Sequence, residues 1–161
     1  MSSSKKNLSR YKIDPSDKYK VLKIAVIVSE WNKEITENLY NGVIKTLIKN
    51  GVDSKNIHRC NVPGSFELIY GSKVAQKKNI YNVIIAVGSI IRGKTSHFNF
   101  ISTAVANGIS ELNVSGEVPV IFCVLTDNNI TQSIERSGGV YGNKGVEAAI
   151  SALKIATLNF N

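Results

Sequence analysis

Cysteine, histidine, tryptophan and proline are scarce in this chain of 161 residues, which holds two, two, one and three of them. The two cysteines, Cys60 and Cys123, make no disulfide framework and stand in no C-x-x-C or other metal-ligand spacing. Reduced thiols in a cytoplasmic setting, with no metal site, are therefore expected. No apolar run reaches the ~18 to 20 residues that span a bilayer, so no membrane partner is expected. The opening residues, MSSSKKNLSR, lack the apolar stretch of a secretory leader. Acidic residues are also few, 12 against 20 basic ones, which leaves a net charge of +8 and a pI near 9.5.

What is present points to one ordered domain. Hydrophobic residues make up 43% of the chain and charged ones 20%, which excludes a mostly disordered polymer. The length suffices for a core without disulfides or a structural metal. The basic excess raises nucleic acid as a partner, so its location matters. Residues 1–20 hold six lysines and arginines against Asp14 and Asp17, which accounts for half of the excess. The rest is scattered and dominated by lysine. A polar, basic N-terminal arm over 1–20 and a solvated surface over 21–161 explain this without a nucleic-acid footprint.

Strand and helix patterns alternate through 21–161. Leu22 to Ser29, Val83 to Ile91 and Val118 to Leu125 are short, apolar and rich in β-branched residues, as buried strands are. A shorter strand over Ile57 to Val62 leads into Pro63-Gly64. Between them, Ile35, Leu39, Val43, Ile44, Leu47 and Ile48 share one helical face, which Gly51 ends. A second helix is expected to turn Phe66, Ile69, Tyr70 and Val74 inward, and a third Phe98, Ile101, Val105, Ile109 and Leu112. A short helix over Ile130 to Arg136 stops at Gly138-Gly139. The last helix runs from about Asn143 to Leu158, with Val146, Ala149, Ile150 and Leu153 inward. The pattern predicts a single α/β three-layer αβα domain with a four-stranded, mainly parallel, flavodoxin-like sheet.

Such sheets bind ligands beyond the carboxyl ends of their strands, at 29–32, 63–67, 89–97 and 126–129. Gly88 to Thr95, GSIIRGKT, fits the nucleotide-binding P-loop pattern, and Asp127 offers a magnesium ligand after another strand. Against this, Ile90 and Ile91 are β-branched and continue the strand, leaving only Arg92-Gly93 to turn. His97 opens a helix, either as a proton-transfer group or as a surface cap. Arg136, and Lys144 in a glycine-flanked turn, are anion anchors or solvated charges. Trp31 offers a stacking platform and Glu67 either a ring acceptor or a partner for the helix dipole. Together they suit a flat, polar heterocycle reacting with a phosphorylated partner. His58 has no such setting and reads as structural.

Five blocks carry a resemblance: IAVIVSEWN (24–32), VPGSFELI (62–69), AVGSIIRGKTSHF (86–98), PVIFCVLTDNNITQSIERSGG (119–139) and GNKGVEAAISALKIA (142–156). In this order and spacing the chain resembles the lumazine synthase family of riboflavin biosynthesis over roughly 20–158. The family's own R-G-x-T-x-H-F stretch accounts for the P-loop match through Lys94. The resemblance implies condensation of 5-amino-6-(D-ribitylamino)uracil with 3,4-dihydroxy-2-butanone 4-phosphate to 6,7-dimethyl-8-ribityllumazine, without metal or cofactor.

It also implies roles for particular residues. Trp31 would stack on the pyrimidine, Ser65, Phe66 and Glu67 would hold its ribityl chain and ring, and Ser89, Ile90 and Ile91 would meet it through their backbone. Lys94 and Thr95 would face the phosphate, with Arg136 as its main clamp and His97 as the proton-transfer residue. Phe122, Lys144 and Glu147 would come from a neighbouring subunit. Implied partners are further copies of this chain, as a pentamer or a 60-subunit shell, and riboflavin synthase. Three positions depart from the family pattern: Ser96 where proline is usual, Lys94 where an acidic residue is frequent, and Glu30 where a basic one is common.

Overall fold

Apolar residues at successive positions of a strand require cover on both faces, and the computed structural model, which describes residues 15–159, supplies it. The elements in chain order are β1 (Ile24–Ser29), α1 (Lys33–Lys49), β2 (Ile57–Val62), α2 (Leu68–Lys77), β3 (Val83–Ile91) and α3 (His97–Ser115). They continue as β4 (Val120–Asp127), α4 (Ile130–Arg136), β5 (Ser137–Gly139), β6 (Gly142–Asn143) and α5 (Lys144–Ala156). Strands β2-β1-β3-β4 form one parallel sheet in that order. The expected three-layer α/β fold is present.

Odd and even strand positions feed two separate cores. Ile24, Val26, Val28, Val83, Ile85 and Val87 join Leu39, Val43, Leu47, Ala149 and Leu153 beneath α1 and α5. Ala25, Ile27, Ile84 and Ala86 join Leu68, Val105, Ile109 and Leu112 beneath α2 and α3. Burying a leucine or isoleucine side chain contributes about 1.5–3 kcal/mol, so these two layers dominate the fold's stability. The edge strand β2 differs: His58 to Asn61 are exposed, and His58 bonds the Tyr81 hydroxyl and the Lys55 carbonyl at 3.2 Å each.

Three expectations shift. The inward face of α2 is Leu68, Ser72 and Ala75, while Tyr70 stands 72% exposed and Val74 and Phe66 also face outward. Close approach is the reason: a methyl group on Gly71 would lie 2.8 Å from Ile27, so small residues follow Leu68 along the side against the sheet, while Ile69 packs against the core as expected. In α1, Ile48 is exposed although it follows the apolar period. The glycine-rich stretch after α4 forms a two-stranded ribbon, β5 with β6, using positive φ at Gly138 and Gly142. Residues 1–14 of the expected arm lie outside the described residues, whereas Tyr19 packs into the core at 4% exposure.

Candidate active site

Parallel pairing carries the chain directly from strand ends into the cleft. After β1 and β2, Glu30 N donates to Val62 O at 2.9 Å and Trp31 N to Pro63 O at 3.1 Å, bringing the two connecting turns side by side. Asn32 then takes a left-handed conformation, φ 58°, and its amide donates to Ser89 O at 2.9 Å. The resulting cleft of about 500 Å³ is lined by Trp31, Asn32, Gly64, Ser65, Phe66, Glu67, Ser89, Ile90, Ile91, Gly93, Thr95, His97, Phe98 and Ile101. Nine sequence-expected residues therefore share one space: Trp31, Ser65, Phe66, Glu67, Ser89, Ile90, Ile91, Thr95 and His97.

The cleft's chemistry is specific. Trp31 is 72% exposed at its rim, a position packing does not require. The hydroxyls of Ser65 and Ser89 are buried without a protein partner among the described residues. A buried hydroxyl left unbonded costs about 1–3 kcal/mol, so these groups fit a polar ligand. Glu67, at the start of α2, brings the cleft's carboxylate, and His97 opens α3 with its backbone N–H 3.4 Å from Thr95 Oγ1.

A second concavity of about 470 Å³, which shares no residue with the first, lies along β4, the end of α4 and the start of α5. Phe122, Arg136, Lys144 and Glu147 line it. Lys144 Nζ pairs with Glu147 Oε2 at 2.7 Å, and Arg136 Nε lies 3.3 Å from Asp127 Oδ1. Ser133 Oγ donates to the other Asp127 oxygen at 2.8 Å. Cys123 also borders this space, but burial pushes its thiol up to about 12, helped by the nearby Glu147 charge, so it is no nucleophile. Asn143 closes the region: its oxygen caps α5 at Gly145 N, 2.7 Å away, and its amide bonds Asn38 O and Ser137 O at 2.9 Å each.

The structure thus divides the sequence-expected residues into two groups. Lys94, exposed on the turn between β3 and α3, lines neither concavity. The P-loop alternative gains no support. Strand β3 runs through Ile91 and pairing continues as Arg92 N donates to Asp127 O at 2.9 Å, so no phosphate-cradling loop forms there. Asp127 faces Arg136 and Ser133 instead of a metal position, and no group of His, Cys, Asp and Glu among the described residues could hold a metal ion. One residue escaped the sequence reading as a site component, Asn32, and Asp127 was read there only as a metal ligand, whereas it meets Arg136. An asparagine between a strand and a helix, of the kind that accepts left-handed backbone, was the available signal for Asn32.

A cleft at the carboxyl ends of a parallel sheet, with an aromatic rim, a carboxylate and buried hydroxyls, defines an α/β domain with a pocket where such sheets bind small ligands. The family model of 6,7-dimethyl-8-ribityllumazine synthase matches residues 21–159, and the chain belongs to that family. It is 52% identical to the 6,7-dimethyl-8-ribityllumazine synthase of Christiangramia forsetii, over 98% of this chain and 95% of that protein. Identity to the enzyme of the same name from Flavobacterium johnsoniae is 51%, covering 97% of this chain and 82% of the relative. For the one from Porphyromonas gingivalis it is 46%, with 98% of both chains covered.

Proposed function

We propose that this protein is the enzyme its family is named for. It condenses 5-amino-6-(D-ribitylamino)uracil with 3,4-dihydroxy-2-butanone 4-phosphate, giving 6,7-dimethyl-8-ribityllumazine, inorganic phosphate and water in riboflavin biosynthesis. The observation that carries this reading is the cleft that gathers Trp31, Glu67 and His97 on a chain matching the family over 21–159.

The chemistry follows from the groups available. The pyrimidine stacks on Trp31 and presents N–H donors to Glu67, with its ribityl hydroxyls near Ser65 and Phe66. Backbone groups of Ser89, Ile90 and Ile91 hold the ring edge. Its amine attacks the ketone, and loss of water gives an imine. A base then takes a proton from carbon and the C–O bond to phosphate breaks, phosphate leaving with the electron pair. Elimination leaves an enol, whose hydroxyl proton moves to the terminal carbon to give a new ketone. The second amine closes the ring on that ketone and a second water departs. His97 moves the protons, and Arg136 holds the phosphate as a planar, bidentate donor. Positioning two reactants together supplies much of the acceleration.

The site is completed by a neighbouring copy of the chain. Separation of the residue set into two concavities supports this: Phe122, Arg136, Lys144 and Glu147 of one subunit meet the Trp31–Glu67–His97 cleft of the next. Phe122, 42% exposed, is then covered on assembly. Thr95 approaches the phosphate from the cleft side, and Lys94 adds positive charge from the exposed turn beside it. The assembly is a ring of five, and the short Arg136–Lys144 connection suits closure of twelve rings into a shell. The absence of any helix long and apolar enough to cross a membrane among the described residues accords with a cytoplasmic enzyme. The test is turnover: the purified protein, given both substrates, forms lumazine measurable by absorbance well above the spontaneous rate. A rate equal to background overturns the reading, and light scattering gives the mass of the assembly.

A further inference from the structure

The chain carries +8 overall, yet the described residues that line the concavity bearing Arg136 sum to zero formal charge. Among the described residues its charged lining is two cations and two carboxylates, with Arg136 beside Asp127 and Lys144 beside Glu147. A site meant only to grip a phosphate dianion would gain from an uncompensated cation. Asp127 works against that grip. It is 7% exposed, sits at the end of β4, and is fixed on three sides. Ser133 donates to Oδ2, Arg136 lies against Oδ1, and its own carbonyl accepts from Arg92 N. A carboxylate built in so firmly holds its charge at constant distance from the guanidinium.

We propose that Asp127 sets the strength of the phosphate clamp. Its counter-charge keeps the hold of Arg136 on phosphate weak enough for inorganic phosphate to leave after each turnover. The inference rests on the reading of Arg136 as the clamp. In the reaction the phosphate arrives as an ester and must depart as the free anion. The free anion binds through the same donors as the ester's phosphate, so a clamp without compensation retains product. Asp127 is a tuning residue that acts through Arg136 and does not itself touch substrate.

Asp127→Asn isolates the charge from the geometry. The amide keeps an oxygen toward Arg136, and the Ser133 hydroxyl, donor and acceptor alike, can turn to receive the new N–H. With one negative charge removed, the full-length protein binds inorganic phosphate roughly three- to tenfold more tightly in calorimetric titration. In turnover the KM for the phosphorylated ketone falls while kcat falls with it, the signature of retained product. Asp127→Ser, smaller and equally neutral, moves phosphate affinity in the same direction. A purely structural role for Asp127 gives no gain of affinity in either variant. Phosphate binding unchanged or weakened in both variants overturns the proposal. Arg136→Ala binding phosphate as well as the parent chain overturns the clamp and this proposal together. Lumazine formation by the parent chain stays a separate readout, so failure of the activity itself is distinguishable.

Discussion

Asn32 donates its side-chain amide to the carbonyl oxygen of Ser89 at 2.9 Å, tying the start of α1 to the end of β3 across the cleft. The same residue holds a left-handed backbone, φ 58°, so one side chain serves both the turn and the cleft wall. Left-handed backbone costs an ordinary L-residue roughly 1–2 kcal/mol, and a part-buried hydrogen bond contributes about 0.5–1.5 kcal/mol. Asn32→Ala loses both, whereas Asn32→Gly loses only the bond and some unfolded-state entropy. Thermal midpoints at fixed protein concentration should therefore rank parent above Asn32→Gly above Asn32→Ala.

Two glycines, Gly145 at the start of α5 and Gly93 on the turn between β3 and α3, should respond very differently to an added methyl group. A methyl group at Gly145 would overlap the Leu39 backbone carbonyl where α5 meets α1, and backbone cannot swing aside. Gly145→Ala should cost about 3 kcal/mol or more, or prevent folding. Around Gly93, by contrast, a methyl group meets nothing within 4 Å. Gly93→Ala should change stability by less than about 0.5 kcal/mol. Urea unfolding of the two variants checks both. A phosphate-cradling loop at 88–95 would have made Gly93 the sensitive one.

Acid stability depends in part on β2 and α1. Arg59 grips the Glu37 carboxylate through two guanidinium nitrogens, one of them at 2.9 Å, and lies over the Tyr40 ring at 4.3 Å. The Arg59 hydrogen bond holds the Glu37 carboxyl below its ordinary value of 4.5. A lowered folded value means the pair stabilises fully above that ordinary value, and the contribution is lost as pH falls through the folded one. The stability difference between the parent chain and Glu37→Gln should be largest near neutrality and vanish in strong acid. A difference that grows on acidification contradicts the assignment.

Thiol chemistry separates the two cysteines. Cys60 is exposed on the edge strand, while Cys123 is buried and its thiol is pushed up to about 12. A disulfide reagent at neutral pH should titrate one thiol quickly in the folded protein and the second only in denaturant. Cys60→Ser should abolish the fast phase.

The fold was legible because β1 and β3 are apolar at nearly every position, a pattern that only a sheet covered on both sides explains. The phase of α2 was legible only in part, since beyond Leu68 and Ile69 the side nearest the sheet is Gly71, Ser72 and Ala75, and Tyr70 and Val74 face away. Periodicity finds the bulky face, and here tight packing needed the small one. The cleft residues were legible because they cluster at strand ends. The place of Arg136 in a separate concavity was not, because it depends on α4 returning its last residue to the end of β4, where Arg136 Nε lies 3.3 Å from Asp127 Oδ1. Asp127 was read as a metal ligand in the rejected alternative, since a lone carboxylate in sequence does not reveal the cation it faces.

The central claim is that one chain's cleft and a neighbour's Arg136 make a single lumazine-forming site. Its most direct test is complementation. One variant, Trp31→Ala with Glu67→Ala, damages the first concavity, and Arg136→Ala damages the second. Each assembled alone should be nearly inactive. Unfolded together in equal amounts and reassembled, they should recover about a quarter of the parent activity, because random neighbours pair two intact halves at that frequency. A mixture no more active than either variant alone would contradict the shared site.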